Sequence, residues 1–559
     1  MPDATNRSGR GSIGPVGVRS DSGGIPNSRF DGAVGHMGGA KSHNTGQGSL
    51  GVAGLVLVGV GGIIGAGFFL GAGLPIHTAG PSVLISFVIG ALVTAQVTGA
   101  LASIALRDKG RISFVGAATR YIGEFAGFLQ GWAYYISSII TVASEAVAMS
   151  IFTRLWLPAI PAWMMAAAYA LVVIAINAFG VRNFGRVESL MSVVKIGALV
   201  GFVVFLGYEV IALPSVFGAH SPHFGPHIAS GLAATTATHG TASGTAGGTA
   251  GGTAGGTASG TAGGTASGTA GGTAGGTASG TYSFHGLFPH GWDGVFQSML
   301  IVIFSYAGIG VFATATTEMR RPSDVNKAAW LTVLILAVLY LLSVGLLLWV
   351  LPWQVMSTSV SPFVAALHLT TLPVLAQVLN GIILVASFSV MAGAVFSANL
   401  ILEGLGRDGD APGFVLWSIR KRTPAGALAV TTCVIAVVMF VAHVLPANVY
   451  NFMISASSFL TFLSWFIILW TFLAWRRRDR EGHWAISSLA FGQPWSSVLT
   501  MLFILFMSGY ALRQHDQRFG FYAAVVMLVA IALAYFVRAV VYPRSRKQRP
   551  RLPQAGAES

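Results

Sequence analysis

Four glycines, Gly61, Gly62, Gly65 and Gly67, punctuate the apolar run Gly61-Gly62-Ile63-Ile64-Gly65-Ala66-Gly67-Phe68-Phe69-Leu70. Each glycine weakens a helix by about 1 kcal/mol relative to alanine, so this stretch predicts a break inside a lipid-spanning segment. A break strands backbone N–H and C=O groups, which hydrocarbon tolerates only where they are buried in protein or line a watery cavity. A second interrupted run, Ser305-Tyr306-Ala307-Gly308-Ile309-Gly310, comes later in a matching position. Paired interrupted spans near the membrane midplane point to the substrate site of a transporter. Two charges also fall well inside apolar runs, away from their ends: Glu145 and Lys195. Charge in a span is costly and is a functional candidate by default.

The elements that carry these residues are membrane spans. The chain has 559 residues, 53% hydrophobic and only 9% charged, against roughly 25% charged in a soluble domain. Twelve runs approach the ~20 residues that a bilayer demands: 50–73, 82–106, 122–152, 162–181, 188–212, 293–316, 328–351, 375–404, 424–445, 449–475, 494–512 and 519–540. With the N-terminus placed in the cytoplasm, all of the 32 Lys and Arg except Arg154, Lys195, Arg513 and Arg518 fall on the inner side. That is the positive-inside asymmetry, and a span count shifted by one would scramble it. The net charge of +14 is therefore topological, and no folded basic face for nucleic acid is visible.

Residues 1–48 are polar and Gly/Ser-rich without an apolar h-region, so no signal peptide is expected and the segment reads as a disordered cytoplasmic tail. The last stretch, 544–559, reads as a basic cytoplasmic tail. Between spans 5 and 6, residues 213–292 form a long outer segment whose centre, 240–281, repeats Gly-Thr-Ala-Gly/Ser. Such sequence behaves as flexible coil and is read either as a repeat expansion or as a tether. Its flanking histidines, His220, His223, His227, His239, His285 and His290, lack the spacing of a metal site. Cys433 stands alone, so no intrachain disulfide can form. No nucleophile–base pair stands out, and the Gly-rich run lacks the Lys-Ser/Thr of a P-loop, so neither an enzyme nor ATP-driven transport is expected.

Several motifs in order resemble one family. The run 61–73 with Ala79-Gly80-Pro81 is similar to the first span of the APC (amino acid–polyamine–organocation) superfamily, in particular its bacterial amino acid permeases. Gly131-Trp132-Ala133-Tyr134-Tyr135 and Glu145 follow the family's GWxYW…E spacing, with Tyr135 for the second Trp. Asn177, Val181-Arg182, Phe184-Gly185, Glu188 and Lys195 match NxxxVRxFGxxE…K, Glu318 and Pro322 match ExxxP, and Trp353 with Ser361-Pro362-Phe363 matches PW…SPF. The resemblance runs from about 48 to 480. It implies an all-α membrane protein with a LeuT-like 5+5 inverted repeat, spans 1–5 (49–212) and 6–10 (293–480), broken helices 1 and 6, and two further spans in 481–543.

The implied activity is alternating-access transport of an amino acid across the bacterial cytoplasmic membrane, with both termini cytoplasmic, no cofactor or metal, and no obligatory protein partner. The alternatives are an exchanger or a transport-inactive sensor. The physics suits a zwitterion: N–H groups around Ile64, Gly65, Ala66 and Gly67 can hold its carboxylate, and carbonyls around Phe304, Ser305, Tyr306, Ala307 and Gly308 its ammonium. Lys195 sits about eight residues into span 5, roughly 12 Å along the helix. Similar proton-coupled transporters carry a lysine here; desolvation of its ammonium would let it exchange a proton, the expected coupling ion. Otherwise Lys195 snorkels or pairs permanently with a carbonyl. Glu145 is either proton-linked or site-shaping, or else structural. Tyr134, Tyr135 and Trp132 are gate or core residues, and Glu318 an inner-gate residue or a surface pair. Ser389 and Asn399 read as polar packing. The chain departs from the family pattern at Gly310, where many relatives have Glu, at Ser103 and at Ala392-Gly393. Without a span 6 carboxylate a neutral substrate is favoured, and Gly310 suggests room for a larger side chain.

Overall fold

The computed structural model describes residues 51–107, 113–178, 184–212, 287–316, 319, 321–356, 360–418, 425–444, 449–478 and 486–541. All fall in one unit, Gln47–Ser559. The two tails, the repeat 240–281, most of the 213–292 segment and Glu318 lie outside the described residues.

The described residues form helices and no strand. Ten are long and apolar enough to cross a membrane, and two shorter apolar ones, Val52–Gly61 and Ala162–Ala178, fall in the first and fourth expected spans. The first span breaks where its glycines cluster, into α1 (Val52–Gly61), α2 (Ala66–Phe69) and α3 (Gly73–Ala79). Then follow α4 (Val83–Arg107), α5 (Phe114–Tyr121), α6 (Glu124–Thr153), α7 (Ala162–Ala178) and α8 (Phe184–Ala212). The hydroxyl of Ser113 caps α5 by accepting the N–H of Gly116 at 3.1 Å, satisfying one of the donors orphaned at a helix start. The second interrupted run divides α9 (Gly291–Phe304) from α10 (Ile309–Ala315). The chain continues through α11 (Val325–Val350), α12 (Pro362–His368), α13 (Val374–Arg407), α14 (Ala425–Val444), α15 (Val449–Arg478), α16 (Trp495–Tyr510) and α17 (His515–Val541).

Burial sorts these helices into centre and rim. The apolar stretch of α15 is 83% buried and that of α6 78%, whereas that of α17 is 11% buried. All three are apolar on most faces. A helix of that kind is stable only in a protein core or in lipid, so α6 and α15 belong to the core and α17 to the lipid boundary. α6 packs against α13 and α15, and α1 against α8 and α11.

The two breaks meet. A Cβ at Gly308 would land on the carbonyl oxygen of Gly62, and one at Gly62 would come within 2.8 Å of Val311. Likewise a Cβ at Gly67 would lie 2.7 Å from the Phe304 ring. These glycines serve close backbone approach as well as helix interruption.

Candidate substrate site

Several backbone groups at the breaks find side-chain partners from distant helices. Ser305 Oγ donates to Gly67 O at 3.2 Å, Tyr450 Oη to Ala66 O at 3.1 Å and Ser361 Oγ to Phe69 O at 2.7 Å. Tyr340 Oη donates to Ser305 O at 2.9 Å, and Lys195 Nζ to Gly61 O at 2.5 Å. On the donor side, Ala66 N–H and Gly67 N–H both reach the Glu145 carboxylate, at 2.9 and 3.3 Å. Side chains thus supply part of what the lipid-span rule demands of broken backbone.

A cavity of about 60 Å³ lies between the breaks, α6 and α15. Gly62, Ile63 and Gly67 line it from the first break, Phe304, Ala307 and Gly308 from the second. Tyr134, Ser137, Ser138, Thr141 and Glu145 face it from α6, and Thr461, Ser464, Trp465 and Ile468 from α15. Glu145 is the one charged residue among the described residues that line it. Next to the first break a second polar cluster is closed to water. Lys195 is wholly buried, Glu188 lies 3.8 Å from it, and Ser389 of α13 donates to Glu188 Oε2 at 2.7 Å. Lys195 therefore does not snorkel; it ties α8 to the carbonyl end of α1.

The sequence pattern described as amino acid permease matches residues 54–251 and 253–550. The chain belongs to the amino acid permease family. Members of this family are membrane transporters, not enzymes. This permease is 27% identical over 503 residues to an uncharacterized transporter of Bacillus subtilis, YcgH, covering 89% of this chain and 96% of that protein. It is 27% identical over 508 residues to an L-asparagine permease of Streptomyces coelicolor, covering 88% and 91%. It is 24% identical over 449 residues to the aromatic amino acid transport protein AroP of Salmonella typhimurium, covering 80% and 86%.

The permease distributes its expected site residues unevenly. Gly67, Phe304, Ala307 and Gly308 line the cavity, while Ile64, Gly65, Ala66, Ser305 and Tyr306 lie behind it. The N–H groups of Ala66 and Gly67, expected to be open to a substrate, are held by Glu145. Ser305 O is taken by Tyr340, and Phe304 O accepts the N–H of Ala307 at 2.9 Å. Tyr306 turns its ring toward Phe87 and Tyr340 and donates to Phe87 O at 3.2 Å. Of the three aromatic candidates on α6 only Tyr134 reaches the cavity. Trp132 donates to Asp410 O at 3.3 Å, and Tyr135 pairs with Thr431 of α14 at 3.3 Å.

Room for a larger side chain at Gly310 is not there: the ring of Tyr134 fills the space that a Cβ at 310 would need. Ser389 is more than packing, since it holds Glu188, whereas Asn399 accepts from Thr431 at 2.7 Å between α13 and α14. Sequence reasoning overlooked Glu188 as a buried charge because it opens its span; Glu209, 2% exposed near the other end of α8, was overlooked in the same way. It also overlooked the hydroxyls of α6. The spacing 134, 137, 138, 141, 145 is that of one helix face, so that signal was present.

Proposed function

We propose that this permease is a secondary transporter that moves a neutral amino acid across the cytoplasmic membrane by alternating access, coupled to a proton. The proposal includes twelve spans with both termini in the cytoplasm and two inverted five-span repeats built around the broken helices. One observation carries it: the Glu145 carboxylate sits on Ala66 N–H and Gly67 N–H at the edge of a cavity between two broken helices. A carboxylate already occupies the amides that a zwitterion's carboxylate would seek. Two carboxylates on one amide pair repel, so substrate entry requires Glu145 to leave or to take up a proton. This links proton and substrate at one place.

Lys195 is the second coupling residue in this reading. Its ammonium holds Gly61 O and faces Glu188, so loss of a proton would loosen α1 from α8. The neutral character of the substrate is supported by the cavity wall, where among the described residues no cation answers a side-chain carboxylate and the single carboxylate is engaged by the backbone.

The test is uptake of radiolabelled amino acids into proteoliposomes, across a panel, with and without an acidic exterior. The expected outcome is uptake that the gradient accelerates and that Lys195→Ala makes insensitive to pH. Uptake only into vesicles preloaded with amino acid would replace the symporter with an exchanger. Binding without movement under either condition would replace it with a sensor.

A further inference from the structure

The cavity carries information about the substrate side chain, given the transport reading above on which this inference rests. Its polar wall comes from two facing helices in register. Ser137, Ser138 and Thr141 lie on one face of α6, and Thr461 and Ser464 on the opposing face of α15. The rest of the lining is mostly apolar, including Ile309, Val311, Val390 and Ala394 and, on α15 itself, Trp465 and Ile468. Such a row offers polar contacts that an aliphatic or aromatic side chain would leave unused.

The hydroxyl protons are largely committed. Ser138 donates to Tyr134 O and Thr141 to Ser137 O, each at 2.9 Å. Ser137 is within 3.2 Å of both Ser457 O and Thr461 Oγ1. A hydroxyl that has given its proton to a carbonyl offers only lone pairs to a guest. This wall therefore asks for a donor on the substrate. Ser464 differs: it accepts from Gln130 Nε2 at 2.6 Å, which leaves its own proton for an acceptor. A hydroxyl or carboxamide side chain supplies donor and acceptor together. A carboxylate side chain supplies no donor, and an ammonium side chain would meet no carboxylate other than Glu145 among the described lining residues.

The cavity of about 60 Å³ corresponds to roughly four to six water positions at about 10–15 Å³ each, so in this conformation it holds a substrate's side chain and not a whole amino acid. The Tyr134 ring against Gly310 closes the side on which the cavity could have been extended.

We propose that the preferred substrates are small neutral amino acids whose side chains donate a hydrogen bond, the hydroxyl and short carboxamide class of serine, threonine and asparagine, read by the hydroxyl rows of α6 and α15. The experiment is competition against radiolabelled serine uptake in proteoliposomes of the full chain, with threonine, asparagine, alanine, leucine, phenylalanine, aspartate and lysine. The hydroxyl and carboxamide compounds are expected to inhibit at concentrations about tenfold or more below those needed for alanine, leucine and phenylalanine, the discrimination one hydrogen bond can supply. Thr141→Val and Ser138→Ala, run in parallel, should narrow the KM gap between serine and alanine. Leucine or phenylalanine outcompeting threonine overturns the side-chain inference while leaving transport intact. Equal inhibition by serine and alanine overturns it too, even if the variants do not fold. Transport of no amino acid at all, including in counterflow, overturns the transport reading and this inference together.

Discussion

Glu145 and Lys195 sit on opposite sides of the first break and act on its backbone with opposite charge. Glu145 takes the amides of Ala66 and Gly67, and Lys195 takes the carbonyl of Gly61. Each is buried, so each depends on partners to offset lost hydration. For Lys195 that partner is Glu188 at 3.8 Å. Removing one member of such a pair strands the other. Lys195→Met is expected to destabilise the protein by on the order of 3 kcal/mol, and adding Glu188→Gln to recover much of the loss. Thermal unfolding midpoints of the wild type, both single variants and the double variant in one detergent check this; additive losses would sink the pairing. Glu145→Gln keeps an oxygen for one amide but has no proton to exchange. Its gradient-driven uptake should fall about tenfold, the worth of one charge-assisted hydrogen bond. A response to the gradient equal to that of the wild type would remove Glu145 from coupling.

At the scale of elements, the site is made where α1 and α9 stop and α2 and α10 begin. Gly62 and Gly308 let the two breaks touch, backbone to backbone. A backbone carbonyl cannot turn aside as a side chain can. Gly308→Ala should therefore cost about 1–3 kcal/mol and abolish most uptake. Gly345→Ala on α11, where a Cβ meets nothing within 4 Å, serves as the contrast. It should be neutral or stabilising by up to about 1 kcal/mol. Thermal midpoints and uptake measured side by side separate the two, and equal effects would mean that the breaks do not depend on close approach.

For the whole molecule, burial divides a core of α6, α15 and the broken helices from a boundary that includes α17. The proposed orientation places Gly413, in the connection after α13, on the cytoplasmic side and Leu157, in the connection after α6, outside. Both positions are exposed. In a Cys433→Ala background, a membrane-impermeant maleimide applied to intact cells should label Leu157→Cys and spare Gly413→Cys. Labelling of both from outside, or the reverse pattern, would overturn the orientation. The class of the molecule was legible from local sequence: apolar runs of spanning length, with glycines interrupting the first and an Ala-Gly pair the sixth, are conditions that lipid imposes residue by residue.

What the sequence determined by itself is the helical membrane class, the two breaks and the presence of Lys195 and Glu145 inside spans, because each follows from composition within a few turns of helix. What only the tertiary structure decided is who answers the broken backbone. Glu145 is 79 residues from Ala66, Lys195 is 134 from Gly61, Ser361 is 292 from Phe69 and Tyr450 is 384 from Ala66. Bonds across such separations are set by which helix faces pack together, and no local pattern encodes that. The same holds for Gly310, whose missing side chain looked like free space until α6 laid the Tyr134 ring into it. It holds for Glu188 too, a span-end charge in sequence that packing turns inward onto Lys195 and Ser389.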